Sequence, residues 1–125
     1  SALTASASIA GISMRRFCFE GFLPKKKGRQ TLLKQLAEEK ERTIVIYESP
    51  FRIEKTLKDI ETFIGKRDVV IVREITKIYE EVLRGNTSEL IEKLEKNPIK
   101  GEIVLLIEPQ QKEQKGGNKY VNDTD

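Results

Sequence analysis

The chain has 125 residues, 38% hydrophobic and 34% charged, which is enough for one domain with a modest core. It contains no His and one Cys, so an internal disulfide framework, a zinc site and a Ser-His or Cys-His catalytic pair are excluded. The net charge of +3 permits an anionic partner without requiring one. No apolar run is long enough to span a membrane, no N-terminal stretch resembles a signal peptide, and the single Cys18 fits a reducing compartment, so we expect a cytoplasmic protein.

Residues 1–12 are small and weakly apolar, and the chain begins without a methionine. Small residues pack a helix closely against a neighbour, yet no element precedes them here. We therefore expect the chain to be a fragment of a longer protein. A processed or tag-derived terminus is the alternative, and Ser1-Ala2 does not decide between the two.

An alternating aromatic stretch over 16–24 predicts a short strand that ends at Gly21. The loop that follows is basic, with the cations Lys25, Lys26, Lys27 and Arg29. A solvated surface loop is the simpler interpretation, and contact with a phosphate backbone is the functional one, because clustered cations favour a polyanion. A helix over 30–40 should follow as a cover for the core, with Leu32, Leu33 and Leu36 buried.

The strongest local pattern lies at 43–64, where a strand, a tight polar turn and a helix follow one another. Five apolar or β-branched residues predict a strand buried on both faces. We expect Ser49 to cap the helix and Pro50 to occupy its first turn, with Gly65 ending it. Ligands of α/β proteins bind at such turns, and four functional groups are concentrated at this one: Tyr47, Glu48, Ser49 and Arg52.

The second half of the chain predicts a buried strand over 68–74, a hinge at Ile75-Thr76 and a further strand over 79–84. A helix capped by Asn86 and Glu89 should then run to Asn97-Pro98, before a last strand over 103–107. The alternation of elements predicts an α/β fold: a mixed, mostly parallel sheet of about five strands flanked by helices. We expect one domain over 1–108 and a loose polar tail over 109–125.

Few chemical motifs stand out. Neither G-x-G-x-x-G nor a Walker A sequence occurs, so a dinucleotide or nucleoside triphosphate site has no support. An acid/base pair would come from the glutamates of the strand ends, although most of the 20 acidic residues must simply be solvated.

Four segments nevertheless form a recognisable series: FEGFLP at 19–24, YESPFR at 47–52, REITKIYEE at 73–81 and GEIV at 101–104. Together with Ser1-Ala2-Leu3-Thr4, they resemble the second half of the ribosomal RNA small subunit methyltransferase I family, which has the tetrapyrrole methylase fold. The resemblance covers residues 1–108.

The resemblance implies an enzyme that transfers a methyl group from S-adenosylmethionine to the 2′-oxygen of a cytidine in 16S ribosomal RNA. It implies a cofactor cleft between two α/β domains, a homodimer and the small ribosomal subunit as partner. The N-terminal domain, with its glycine-and-aspartate loop, is missing here. We therefore expect this chain alone to be inactive and to bind the cofactor weakly or not at all.

The resemblance also assigns residues by motif position. It implies cofactor contacts at Ser1, Ala2, Tyr47, Glu48, Ile75 and Glu102. The candidates for activating the weakly nucleophilic 2′-hydroxyl are Glu20, Glu74, Lys77 and Glu80. Because the resemblance implies an RNA substrate, it strengthens the interpretation that the loop contacts RNA through Lys25, Lys26, Lys27 and Arg29. Phe22 and Tyr79 are candidates for base stacking, although a structural place for each is the simpler interpretation.

Two alternatives stay open. One is a methylase of the same fold that acts on a tetrapyrrole or another small molecule. The other is a non-catalytic module that binds RNA or pairs with itself. An upstream reading frame encoding a glycine-rich strand, loop and helix would favour the enzyme, whereas a start codon directly before Ser1 would favour the module.

Overall fold

A computed structural model describes residues 16–76 and 79–110. These ranges form β1 (Phe17–Phe22), α1 (Arg29–Ala37), β2 (Thr43–Glu48), α2 (Ile53–Phe63), β3 (Asp68–Thr76), β4 (Tyr79–Asn86), α3 (Thr87–Lys96) and β5 (Ile103–Ile107). The five strands make one sheet in the spatial order β1-β2-β5-β3-β4. The prediction of a mixed α/β sheet flanked by helices is confirmed. The predictions for residues 1–12 and for the tail beyond Gln110 lie outside the described residues.

The strand directions correct one detail of that prediction. Only β1 and β2 pair in parallel among the described strands, whereas β2–β5, β5–β3 and β3–β4 are antiparallel. A helical crossover returns the chain to the same end of the sheet, so β1, β2 and β3 run in one direction. The hairpin between β3 and β4 reverses the direction, and β5, reached from β4 through α3, keeps the reversed one. The sheet is therefore mixed without being mostly parallel.

Residue alternation along the strands divides the sheet into two apolar faces. On the helix-bearing face, Ile46, Leu105 and Ile71 form one row across β2, β5 and β3. The three helices bury their apolar side chains against this face, through Leu33, Leu36, Ile53, Leu57, Ile60, Leu90 and Leu94. The opposite face carries a separate buried cluster of Val45, Val70, Val72, Val104 and Leu106. No helix of the described ranges is long and apolar enough to cross a membrane.

The start of α2 differs from the prediction. The Ser49 carbonyl accepts a hydrogen bond from the Arg52 amide at 3.1 Å, so residues 49–52 form a turn. The helix begins at Ile53, and Arg52 at its N-cap makes no side-chain cap. Ser49 is therefore not the cap, because it lies three residues before the N-cap position. Its amide donates to the Glu48 carboxylate at 2.9 Å and helps to hold the chain in the turn.

A buried arginine ties together the end of the sheet where β2 and β3 begin. Arg67 donates to the Glu39 carbonyl at 2.7 Å and to the Glu108 carbonyl at 3.1 Å. Glu39 precedes β2 and Glu108 follows β5, so one guanidinium fixes both segments. Burial of this side chain lowers the pKa of Arg67 from its usual value.

The N-terminus of α3 forms the predicted capping box. The Asn86 side chain accepts from the Glu89 amide at 2.8 Å, and the Glu89 carboxylate accepts from the Asn86 amide at 2.8 Å. Two amides that would otherwise lack intrahelical partners are satisfied in this way.

Replacing Asn86 with Ala should lower the free energy of unfolding by about 1 kcal/mol, because the Glu89 amide loses its acceptor. Urea titration followed by circular dichroism measures the change. Asn97→Ala, at the other end of α3, is the matched control and should change the value by less than about 0.5 kcal/mol. Equal losses in both variants would contradict the role of the cap.

Candidate functional site

The carboxyl end of β2 and the start of β5 meet at one end of the sheet, along the edge formed by the strand ends. Tyr47 pairs there with Val104, and Glu48 pairs with Ile103. A pocket of about 240 Å³, here called the edge pocket, opens at this place and is lined by Phe22, Tyr47, Glu48, Glu102, Ile103 and Val104. The end of β3 lies at the same edge, because Arg73 also pairs with Ile103.

The edge pocket brings together Tyr47, Glu48 and Glu102, three of the residues predicted to contact the cofactor. The backbone of Ile75 lies at the same edge, two residues beyond Arg73 in β3. Ser1 and Ala2, and the side chain of Ile75, lie outside the described residues. The cofactor contacts themselves stay predictions.

The backbone between Lys100 and Ile103 approaches β3 closely. Gly101 has a φ of 87°, a left-handed conformation that favours glycine. A Cβ added there would lie 3.5 Å from the carbonyl oxygen of Glu74. The turn that delivers Glu102 to the pocket is therefore packed against the end of β3.

Aromatic side chains from β1 complete one wall of the site. Phe22 pairs with Tyr47 in the parallel β1–β2 ladder, and their ring centroids are 5.6 Å apart. Phe19 contacts the same Tyr47 ring at 5.3 Å, and both contacts are edge-on. From the sequence, Phe22 is predicted only as a candidate for base stacking. Its pairing with β2 across the sheet, which no local pattern reveals, makes it part of the pocket.

A β-bulge sets the orientation of Phe22. The register shifts between Phe19 and Gly21, so Glu20 is the extra residue of β1. Residues three apart normally point to opposite faces of a strand, but the extra residue puts Phe19 and Phe22 on the same face. Gly21, with a φ of 66°, supplies the backbone conformation that this irregularity needs.

Glu48 is bound to the interior of the domain. Its side chain is on the helix-bearing face, and the residue is only 7% exposed. The carboxylate accepts from the Ser49 amide at 2.9 Å and from the Thr56 hydroxyl at 2.5 Å. Thr56 lies in α2, so this bond joins the end of β2 to the helix that follows it.

Arg29 continues the same chain of hydrogen bonds. Its guanidinium donates to the Thr56 hydroxyl at 3.0 Å, to the Asp59 carboxylate at 2.9 Å and to the Pro24 carbonyl at 3.0 Å. We call the series Arg29, Thr56 and Glu48 the buried relay. The relay connects the start of α1, the middle of α2 and the end of β2.

The prediction that Arg29 contacts RNA is corrected by this geometry. Its side chain is only 6% exposed and its charge is paired with Asp59, so it does not face a phosphate group. The other three cations of the loop, Lys25, Lys26 and Lys27, are exposed. Because Arg29 holds the Pro24 carbonyl, it anchors the loop that presents these lysines.

The predicted catalytic residues lie on opposite sides of the sheet, Glu20 on the edge strand β1, and Glu74 and Glu80 on β3 and β4. Glu74 and Glu80 lie directly opposite each other on β3 and β4. Glu74 is exposed, and Glu80 has one buried carboxylate oxygen without a hydrogen-bond partner among the described residues. Glu20 belongs to β1, which is four strand positions from β4 and therefore roughly 19 Å away. Glu20 thus cannot act together with Glu80, and Lys77 lies outside the described residues.

Glu20 instead forms a hydrogen bond with Cys18, the single cysteine of the sequence, and helps to raise its pKa. The Cys18 thiol donates to its carboxylate at 3.1 Å. Burial and the neighbouring negative charge of Glu20 raise the pKa of Cys18 to about 11. The thiol is therefore neutral at pH 7 and a poor nucleophile. Within 16–76 and 79–110, no group of three His, Cys, Asp or Glu side chains is placed to hold a metal ion.

The class of protein follows from the family comparison, which agrees with a mixed α/β sheet that carries a pocket at its strand ends. The family model of the tetrapyrrole (corrin/porphyrin) methylases matches residues 1–91, so the chain belongs to this family. Solved structures share the fold. A cobalt precorrin-4 methyltransferase of cobalamin biosynthesis superposes with a TM-score of 0.66 at 20% identity, over 86% of this chain and 48% of that one. The methyltransferase CobJ superposes with a TM-score of 0.64 at 16% identity, over 87% and 48%.

The similar sequences narrow the comparison to one group within this family. The chain is 47% identical over 107 residues to the ribosomal RNA small subunit methyltransferase I of Thermotoga maritima. It is 50% identical over 109 residues to the protein of the same name from Pasteurella multocida. These similarities confirm the resemblance inferred from the four segments. They cover 86% and 84% of this chain but 48% and 38% of the relatives, so the chain spans about half their length or less.

Arg29→Met should lower the free energy of unfolding by about 3 kcal/mol, because it leaves Asp59 without its buried partner and breaks the relay. Thermal and urea unfolding measure the loss. Arg42→Met is the matched control, since Arg42 pairs with Glu39 at the surface with 44% of its side chain exposed. That variant should unfold close to the parent chain, and a loss as large as that of Arg29→Met would contradict the structural role of the relay.

Alkylation of Cys18 by iodoacetamide should remain slow up to pH 9, because a pKa of about 11 keeps the thiol protonated. In the unfolded chain the Cys18 thiol has its ordinary pKa of 9.0, whereas in the native chain its pKa is about 11. The native state should therefore lose stability as the pH rises from 9 towards 11. Glu20→Gln should accelerate alkylation at pH 9 by lowering the pKa. Mass spectrometry measures the rates, with the exposed Glu41→Gln as control, and identical rates in all three proteins would refute the effect of Glu20.

Proposed function

We propose that the chain is the α/β domain that provides one side of the cofactor site in an S-adenosylmethionine-dependent methyltransferase. The enzyme would methylate the 2′-oxygen of a cytidine in 16S ribosomal RNA. The observation that carries the proposal is the edge pocket, which gathers three motif-matched residues in a chain 47% identical to a ribosomal RNA small subunit methyltransferase I.

The chemistry of the pocket suits this cofactor. Phe22, Tyr47 and Val104 offer apolar and aromatic surface for an adenine ring, and aromatic faces attract a sulfonium cation. Glu102 is exposed, so its carboxylate can accept hydrogen bonds from ribose hydroxyls. Glu48 has its carboxylate engaged by Thr56 and Ser49, so its role is to shape the pocket and to supply negative charge beside it.

The size of the pocket favours a site shared between domains. Its volume of about 240 Å³ is below the range of about 300–1,000 Å³ that small-molecule sites occupy. The relatives are about twice as long as this chain or longer, since it covers 48% and 38% of them. We infer that a second domain closes the site, and that this chain alone binds the cofactor weakly and transfers no methyl group. A homodimer in the cytoplasm, acting on the small ribosomal subunit, belongs to the same proposal.

The RNA would approach from β1 and its loop. Lys25, Lys26 and Lys27 are exposed and follow Phe22, which lines the pocket, by three to five residues. Cations at the rim neutralise phosphates and bring the backbone of the RNA to the cofactor. Methyl transfer is an in-line displacement, so positioning supplies much of the rate. Glu74, on the strand beside β5, or Glu80, on the strand beyond it, would accept the hydroxyl proton.

A small-molecule methylase is the second candidate. It is favoured by the shared fold with the cobalt precorrin-4 methyltransferase, at a TM-score of 0.66. The identity to that enzyme is 20%, against 47% and 50% to the two ribosomal RNA relatives. The difference favours RNA as the substrate.

A chimera tests the function. If this chain replaces the matched 107 residues of the Thermotoga maritima relative, the product should transfer tritiated methyl groups to small ribosomal subunits. Glu102→Gln in the chimera should raise the KM for S-adenosylmethionine about tenfold, which corresponds to about 1.4 kcal/mol. Lys34→Ala, on the exposed side of α1, is the control. Methylation of tetrapyrroles in place of RNA would establish the second candidate.

The chain by itself should show no heat of binding in titration calorimetry with S-adenosylmethionine up to about 100 μM, because one wall of the site does not enclose the ligand. A dissociation constant in the low micromolar range would show that the site is complete within this chain and would overturn the two-domain proposal.

A further inference from the structure

Among the described residues no aromatic side chain is fully buried, although Phe63 and Tyr47 pack against the core clusters. Every buried hydrophobic residue of the described ranges is Leu, Ile or Val. Phe17, Phe19 and Phe22 of β1 are instead 39%, 49% and 70% exposed. A set of large exposed apolar side chains on one strand indicates an interaction surface, because burial of these rings would otherwise stabilise the fold.

These rings share one face of the sheet. Phe17, Phe19 and Phe22 pair with Thr43, Val45 and Tyr47, which are alternate residues of β2. Alternate residues point to the same side, here the face opposite the helices. We call Phe17, Phe19, Phe22 and Tyr47 the aromatic strip. Without the bulge at Glu20, Phe22 would point to the helix-bearing face, so the irregularity of β1 is what completes the strip.

Positive charge lies at both ends of the strip. Arg16 precedes β1 with a side chain 64% exposed, and its contact to Glu41 is a surface pair at 3.5 Å. Lys25, Lys26 and Lys27 follow β1 and are exposed as well. The one acidic residue within β1, Glu20, is turned to the Cys18 thiol. The three lysines beyond Phe22 are therefore the part of this surface that can hold phosphates, whereas Arg16 is paired with Glu41, and Glu102 lies beside Phe22 in the edge pocket.

We propose that the aromatic strip is a stacking platform for unpaired bases of single-stranded RNA, whose phosphates are held by the lysines that follow β1. The proposal rests on the proposed function and specifies how its substrate binds. Exposed aromatic rings beside a basic loop bind unstacked bases, because every base has a π-face and every nucleotide a phosphate. A neutral peptide or a neutral lipid would use the rings but would leave the lysine cluster without a counterpart.

The strip also sets the path of the RNA. Phe22 belongs both to the strip and to the edge pocket. Rings two residues apart on a strand are about 6.6 Å apart, so Phe17 and Phe19 meet different bases of a splayed strand. The nucleotide at Phe22 lies at the rim of the pocket, whose interior is left to the cofactor, and its neighbours on one side stack along β1. The substrate must therefore be unpaired over about three nucleotides around the target.

Fluorescence anisotropy of the 125-residue chain with a labelled eight-nucleotide RNA tests the strip without cofactor or methyl transfer. Phe19→Leu and Phe22→Leu should each weaken binding about tenfold, because Leu keeps the apolar volume and removes the stacking surface. Phe22→Trp should retain the affinity. Phe51→Leu is the matched control, since Phe51 is 96% exposed and lies outside the strip. Circular dichroism confirms that each variant is folded.

The dependence of RNA binding on salt reports on the lysines, and the preference for a single strand over a duplex reports on the aromatic strip. Replacing Lys25, Lys26 and Lys27 with Ala should reduce the slope of log Kd against log salt by about 2 and leave the loss caused by Phe22→Leu unchanged. The same sequence in a duplex should bind more weakly than the single strand.

Each opposite result overturns the proposal: unchanged binding in Phe22→Leu, an equal loss in Phe51→Leu, or tighter binding of the duplex. Dimerisation that the Leu variants abolish, with RNA affinity unaltered, would assign the strip to a second copy of the chain. A different result would contradict the proposed function without contradicting the role of the strip. A chimera that methylates tetrapyrroles only, while the chain binds single-stranded RNA as described, would remove the proposed function and leave the strip.

Discussion

The guanidinium of Arg29 organises the part of the molecule where the function is expected. It bonds to Asp59, Thr56 and the Pro24 carbonyl, and Thr56 passes the connection to Glu48. A buried charge is tolerated when an opposite charge and further hydrogen bonds satisfy it, and both conditions are met here. One side chain thereby fixes the end of β2, the position of α2 and the base of the lysine loop.

The two ends of the sheet are built for different tasks. At one end, Arg67 binds the carbonyls of Glu39 and Glu108 and joins the segments around β2 and β5. At the other end, the edge pocket lies between the end of β2 and the start of β5, with the end of β3 beside them, and the aromatic strip leads to the pocket along β1. The relay lies beneath this second end and supports it from the helix-bearing face. Structural contacts therefore hold both ends of the sheet, and the proposed ligand site lies at only one of them.

Local patterns in the sequence predicted the elements whose signals are local. The continuous apolar runs of β2 and β5 and the capping box at Asn86 agree with the structure, because pattern and outcome depend on neighbouring residues. The sheet order, the antiparallel insertion of β5 and the bulge at Glu20 depend on pairing between distant segments, which no local signal reveals. Arg29 was assigned to the surface for the same reason: its partners Thr56 and Asp59 are 27 and 30 residues away. Of the residues predicted to contact the cofactor, Tyr47, Glu48 and Glu102 line the edge pocket together.

The position of β5 has a consequence for synthesis. It is the last strand along the described chain, yet it lies at the centre of the sheet between β2 and β3. A nascent polypeptide that has not yet reached residue 107 exposes an unpaired edge on each of those two strands, and such edges are prone to pair with other chains. Until β5 is present, the β1–β2 ribbon and the β3–β4 hairpin share no strand pairing, so one five-residue segment joins them into a single sheet.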